Sequence, residues 1–497
     1  NLLVRVCSFL ILNIFVFMPM AFGFEANETS DLRQTNTPLI QDVFIRDVAL
    51  DSLSNGAYIA GDNGVFGHYN FISNTTDDLR ETDVGDWFTA NNAQFLDVAY
   101  DSKNNGAYLS GYDSVATGKF GYYNKTSNTT IQLNDFGILI RGIAYDSKNE
   151  GVYIASHTDG STNFGYYSKS LNSIVDLTPT GNGLNTVNMI SVAYDSTNDG
   201  AYFVAQSGAG GLRTFGYYNK SANVTTYLGD TDSGDFIGDS NSHFLNDVAY
   251  DSKNDGAYLV GFNGLLAYYS RATNTTIDLS GTDALDWIDT TSIEGVTYDN
   301  INDGAYIVGL SGLVGYYSKA LNTTIDLRST DSGDWLGSEN PDIVGIAYDN
   351  KSKGMYFGGA DNINGFGLFG VYSLINIDPV PTGLNVAVDV GDSVSLTFAS
   401  VTSSGETIVN TTKSSSGAEF LVDGTYYDIT TTSNYDGTIT ITLPYDPLTV
   451  AEPLLVRIYH FDIALDTWVD VTTSVDTKAN TVTGVVTTLS PFAIGSP

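Results

Sequence analysis

Cysteine is almost absent. Cys7 is the only one in 497 residues, so neither an intrachain disulfide nor a thiolate metal centre can form. Histidine is nearly as scarce. His68, His157, His243 and His460 are scattered and form no close pair, which argues against a His-rich zinc site. Positive charge is scarce as well, with 21 Lys and Arg against 57 acidic residues and a net charge of −36. A polyanion of this kind repels phosphate backbones and anionic lipid, which excludes sequence-independent nucleic-acid binding. Glutamate is the minor acid: nine of the 57 are Glu, so Asp dominates, a residue that prefers turns to helix interiors. What the chain has in quantity is Gly (51), Tyr (32), Thr and Asn, the composition of a turn-rich all-β protein. Hydrophobic residues at 42% are enough for packed cores, so this is not a disordered acidic tail.

Long apolar runs are confined to one place. Arg5 precedes a nearly unbroken apolar stretch from Val6 to Ala21, and Ala21-Phe22-Gly23 offers small residues at a cleavage site. Residues 1–23 read as a signal peptide, with export as the consequence and an uncleaved anchor as the alternative. No later stretch has the ~18 apolar residues a span needs, so no membrane span is expected in the mature chain. The first residue is Asn rather than Met, and a piece of a longer chain is expected.

One phrase recurs seven times with a period of about 50 residues. It ends in Asp51, Asp101, Asp146, Asp195, Asp251, Asp299 and Asp349, which define repeats 1 to 7. Five residues after each Asp comes a Gly, and two further on a Tyr, as in Asp251, Gly256 and Tyr258. Within residues 293–335 the pattern predicts four strands, at 294–299, 305–309, 313–318 and 323–327, with Gly304 supplying a positive φ at the first hairpin. Four antiparallel strands per repeat make one propeller blade. The seventh repeat lacks its fourth strand, whereas residues 27–33 read like residues 322–328. The N-terminal strand is therefore expected to pair with residues 369–374. The fold expected is a seven-bladed β-propeller over residues 24–378, closed by an N-terminal strand. After a Pro/Gly linker at 379–383 the period is lost, and alternating strands over 384–497 predict a C-terminal β-sandwich.

Arg141-Gly142-Ile143-Ala144-Tyr145-Asp146 followed by Gly151-Val152-Tyr153-Ile154-Ala155 resembles the extracellular propeller repeats of the NHL and YVTN type, over residues 45–376. Tyr-Leu-Val-Gly and Tyr-Ile-Val-Gly on the second strand depart from the YVTN signature. The stretch from Trp468 to Ile494 is similar to C-terminal modules of prokaryotic exported proteins. These likenesses imply fold and compartment; propellers of this kind serve as surface, adhesion and enzyme proteins.

Candidate sites follow the repeat. The loop after the fourth strand carries Thr-Asp-x-x-Asp-aromatic in four repeats, giving Asp83 and Asp86, Asp232 and Asp235, Asp283 and Asp286, Asp331 and Asp334. Paired carboxylates there could hold Ca²⁺, the one cofactor the pattern allows. Trp87, Trp287 and Trp335 could stack on sugar rings from the same face. The aromatic could equally pack between blades while Asp caps the turn. Ten Asn-x-Ser/Thr triplets are present, and Asn27, Asn74, Asn128, Asn223, Asn274 and Asn322 fall at equivalent hairpins before the fourth strand. They would circle one rim as glycans, or serve as hairpin residues. Repeat 3 lacks the triplet at Asn172. The Phe-Gly-Tyr-Tyr strand reads as packing, and His68 as a neutral replacement of one of its tyrosines. No nucleophile triad, P-loop or dinucleotide motif appears. The expectation is an exported cell-surface or secreted protein with a structural, adhesive or recognition role, partnered by a surface glycan, a protein or its own copies. The alternative is a secreted enzyme acting on polysaccharide.

Overall fold

The computed structural model describes residues 28–495 apart from 41–42, 55, 85–92, 116, 134–138, 158–163, 179–186, 208–212, 232–243, 283–286, 289–290, 331–335, 337–339, 363–364, 375, 391–392, 414–420, 448–449, 451, 463–466 and 490. Residues 1–23, read above as a signal peptide, therefore lie outside the described residues. The described chain is all-β, and seven of its sheets are four-stranded, antiparallel and consistent with propeller blades.

Repeat 6 has the strands Ile293–Asp299, Gly304–Gly309, Val314–Ser318 and Thr323–Asp326, within a residue or two of the expected bounds. The second strand is buried along its whole length, as its Gly-Ala-Tyr-Ile-Val-Gly run requires. In repeat 7 the strand Glu28–Asp31 fills the fourth position, with Glu28 opposite Ser373 and Asp31 opposite Gly370. Pairing across this sequence separation covers the edge of the third strand, Gly367–Ser373. The first strands of successive repeats touch one another, and that of repeat 7, Asp342–Asp349, touches that of repeat 1, Ile45–Asp51.

Packing joins the sheets. Each apolar cluster of the repeat region draws on two consecutive repeats. One holds Tyr202, Val204 and Phe215 of repeat 4 with Leu245, Val248 and Leu259 of repeat 5. The Phe-Gly-Tyr-Tyr strand is packing, as expected: Phe215 meets Tyr269 of the next repeat edge-on at 5.4 Å.

The first hairpin corrects one expectation. The positive φ falls on the residue before the glycine, as at Asp255 (φ 52°) and Asp303 (φ 59°). Gly304 opens the second strand, where a Cβ would run into the Tyr317 carbonyl and the Tyr316 hydroxyl. The glycine is there for close approach, and the left-handed residue is an Asp or Asn that tolerates it in repeats 2, 4, 5 and 6, but Glu150 in repeat 3 and Lys353 in repeat 7.

Residues 376–495 form a six-stranded and a five-stranded sheet. One core lies between them, with Phe398, Ile439 and Ile441 from the five-stranded sheet and Ile429, Ile458 and Phe492 from the six-stranded one. The strand Asn376–Val380 pairs with residues 405–409, so this region begins before Pro379, where the sequence suggested a linker. Pro379 is tolerated because its strand is at the sheet edge, where a missing N–H costs no ladder bond. Among the described residues no helix is long and apolar enough to cross a membrane.

Candidate functional site

The first strand of every repeat carries a β-bulge near its start, as the register shifts at Ile45/Asp47, Phe95/Asp97, Leu245/Asp247 and Ile293/Gly295 show. A bulge re-aims side chains. Here it turns them into one cavity of about 220 Å³ to which all seven repeats contribute. The lining is not repetitive. Arg46, Asp47, Asp97, Arg141, Ser191, Asn246, Asp247 and Glu294 face it beside Leu96, Ile190, Val344 and Ile346.

Its carboxyls are held by neighbouring strands. Asp47 accepts the Val98 N–H at 3.0 Å, Asp97 that of Ile143 at 2.7 Å, and Asp247 that of Val296 at 2.9 Å. Each acid thus ties its own repeat to the next. Asp247 also accepts the Ser191 hydroxyl at 2.5 Å. Burial raises the Asp247 carboxyl to about 6 and raises Glu294 as well. Burial raises the carboxyls of both Asp47 and Asp97, and the neighbouring Asp47 raises Asp97 further. Arg46 forms a forked pair with Asp62 at 2.8 and 2.9 Å. Burial lowers the pKa of Arg141, which has no ion-pair partner among the described residues. The cavity therefore offers fixed acceptors, two neighbouring carboxyls with raised pKa values and one cation without an ion-pair partner among the described residues, a set suited to a small polar ligand.

At its other end the same strand carries the recurring Asp, whose role is architectural. Asp251 accepts the Lys253 and Asn254 backbone N–H groups at 3.0 and 2.9 Å and the Tyr268 hydroxyl at 2.9 Å. Lys319 of the next repeat reaches it at 3.1 Å. In repeat 1, His68 stands in for the tyrosine: its Nε2 is 3.0 Å from Asp51, with Lys125 at 2.6 Å from the same oxygen. His68 thus takes over the bond that a tyrosine makes to this Asp in repeats 2 to 6.

Of the eight loop aspartates, only Asp83 lies within the described residues; Asp86, Asp232, Asp235, Asp283, Asp286, Asp331 and Asp334 lie outside them, as do Trp87 and Trp335. Asp83 sits in an isolated bridge to Thr130. No group of three potential metal ligands occurs among the described residues. Trp287 is half-buried, seated against Gly315 of the next repeat with Arg328 over its ring at 5.4 Å. It packs between repeats, as the alternative reading of this aromatic expects.

Asn27 lies outside the described residues, whereas Asn74, Asn128, Asn223, Asn274 and Asn322 adopt φ of 48°, 50°, 50°, 52° and 49°. Each accepts a tyrosine hydroxyl, as Asn274 does from Tyr269 at 3.0 Å. Asn172, which has no triplet, does the same with Tyr167 at 3.0 Å. The second Thr of Asn-Thr-Thr also has its own task. Thr276 bonds Thr231 of the preceding repeat at 2.7 Å, and Thr324 bonds Thr282 at 2.7 Å. Hairpin chemistry thus accounts for the recurrence of the triplet, with or without sugars.

Sequence reasoning missed the cavity. Its signal is the position four residues before each recurring Asp, which reads Asp, Asp, Gly, Ser, Asp, Gly, Gly through the repeats. A scan against protein-family models finds no match, and no curated protein matches the chain.

Proposed function

We propose that the seven repeat sheets close into a seven-bladed β-propeller with strand Glu28–Asp31 as its clasp, followed by a β-sandwich, and that the exported chain works by recognition at or outside the cell surface. The resemblance to extracellular NHL and YVTN-type propellers belongs to this proposal. The observation that carries it is the convergence of the repeat-breaking residues on one cavity, while the recurring Asp, Tyr, Lys and Thr side chains are spent on bonds within and between repeats. A recognition role fits better than catalysis on a polymer. The cavity, about 220 Å³, is smaller than an ordinary ligand pocket, and its aspartates are fixed by backbone N–H groups. A terminal sugar or similar small polar group is the ligand class proposed; Ca²⁺ in the outer loops and glycans at the hairpin asparagines remain proposals of the same reading.

A glycan array, run with and without Ca²⁺, tests it. Binding is expected for the wild-type chain and lost with Arg141→Ala plus Asn246→Ala. Binding unaffected by that double substitution would remove the cavity from the reading. Cleavage of an arrayed polysaccharide would replace recognition with catalysis.

A further inference from the structure

Five repeats carry a cation directly after the third strand, and it reaches back to the buried Asp of the preceding repeat. Lys125 meets Asp51 at 2.6 Å, Lys169 meets Asp101 at 3.2 Å, and Lys220 meets Asp146 at 2.6 Å. Arg271 meets Asp195 at 2.8 Å, and Lys319 meets Asp251 at 3.1 Å. The pattern breaks at two adjoining repeats. The equivalent residues are Leu374 in repeat 7 and Phe71 in repeat 1. The cost is visible at Asp349, the acid that a cation at position 71 would meet: it is 5% exposed, and burial raises its carboxyl.

An apolar residue that deprives a buried acid of its cation needs another purpose, and the surroundings supply one. Phe71 is 3% exposed within the cluster that joins repeats 7 and 1. Ile408, from the strand Gly405–Lys413 of the six-stranded sheet, packs against that same cluster. Ile408 is opposite Ile377, on the strand that leaves repeat 7 just after Leu374. Leu374 is itself fastened to repeat 7, its N–H donating to the Ser352 carbonyl at 2.9 Å.

We infer that repeat 1 has exchanged the cation for an apolar residue to make a socket, centred on Phe71, that seats the C-terminal two-sheet region of the same chain through Ile408, while Leu374 packs against the neighbouring cluster of repeats 6 and 7. The region is then a fixed part of the molecule. It is placed at the hairpin end of the repeat sheets, away from the end where Arg46 meets Asp62. This inference does not depend on any ligand of the cavity.

The test uses the full chain. Phe71→Lys restores the repeat's own residue and gives Asp349 a partner. If Phe71 is a mere repeat variant, this change is neutral or stabilising and silent elsewhere. If it is a socket, thermolysin cleavage between residues 374 and 383 is expected to speed up by about tenfold or more, as local opening exposes that segment. The small-angle scattering radius should rise while the repeat region melts no earlier. Ile408→Lys should give the same release, and Phe71→Leu should stay close to wild type. Unchanged cleavage and radius in Phe71→Lys would overturn the inference, including when Ile408→Lys alone has an effect, since that would report only on the fold of the two-sheet region.

Discussion

The two ends of the first strand make an instructive pair. At its C-terminal end, every repeat places an Asp that closes a turn, and in repeats 1 to 5 this Asp takes a cation from the next repeat. At its start, past the bulge, the repeats differ: Asp47, Asp97, Gly142, Ser191, Asp247, Gly295 and Gly345 occupy one position. The backbone is the same at both ends. Where the surroundings repeat, the residue repeats, because each junction solves the same packing problem. On the shared cavity, seven copies of one side chain would crowd a single small volume. Gly345, whose Cβ would strike the Asp47 backbone, shows how little room there is. Divergence is thus partly a steric demand and partly the room in which a ligand can be specified.

The largest effect should come from breaking the repetitive end. Asp251→Ala strands Lys319, the Tyr268 hydroxyl and two turn N–H groups. A loss of about 3–5 kcal/mol is expected, the usual cost of removing one partner of a buried pair, and urea unfolding measures it. A loss below about 1 kcal/mol would mean that the turn holds without its Asp.

The two ends should also respond to pH in opposite directions. Burial alone would raise the hairpin acids Asp101, Asp146 and Asp251. Hydrogen bonds from turn N–H groups, Asn and Tyr side chains and the neighbouring Lys hold all three below the usual carboxylate value instead. Such groups contribute stability that is present above about pH 4 and lost as pH falls through their folded pKa. The cavity acids have raised values and bind more protons folded than unfolded, so stability falls as pH rises from about 4 through about 6, the value for Asp247. A melting temperature that peaks between these limbs is expected. Asp97→Asn should flatten the upper limb and leave the lower one. Asp146→Asn should lower the curve most at neutral pH, where the charged Lys220–Asp146 pair is intact. Identical shifts of both limbs in both variants would erase the distinction between the two ends.

The smallest effect sharpens the comparison at the outer hairpin. Asn274→Ala loses the bond from Tyr269 and strains a left-handed residue, for a cost of about 1–2 kcal/mol. Asn274→Gly removes the strain and should cost less. Calorimetry separates the two, and mass spectrometry of native material reports whether Asn274 also carries sugar.

Much of the architecture was legible because it is local or periodic. The hairpin Asp, the alternating strands and the displaced N-terminal strand, matched by its likeness to residues 322–328, all read directly. The cations were visible as residues but not as partners, since Lys220 and Asp146 lie 74 positions apart. The Thr231–Thr276 bond was hidden for the same reason, behind a triplet that reads as a glycosylation signal. Pro379 misled because proline marks a break in sequence yet is harmless on an edge strand.

By itself, the sequence determined everything that a repeat of about fifty residues can encode: strand order, turn chemistry and the face each side chain presents to its neighbours. Only the tertiary structure decided what the singular residues do. Arg46, Asp97, Asn246 and Glu294 are far apart in the chain and share no motif. They become a site only because the bulged starts of seven strands meet around one cavity. Phe71 and Ile408 likewise read as unrelated apolar residues until folding brings them to one cluster. Periodicity is a property of the chain, whereas convergence is a property of the packed sheets, and a linear pattern carries no record of which distant residues will share a small volume.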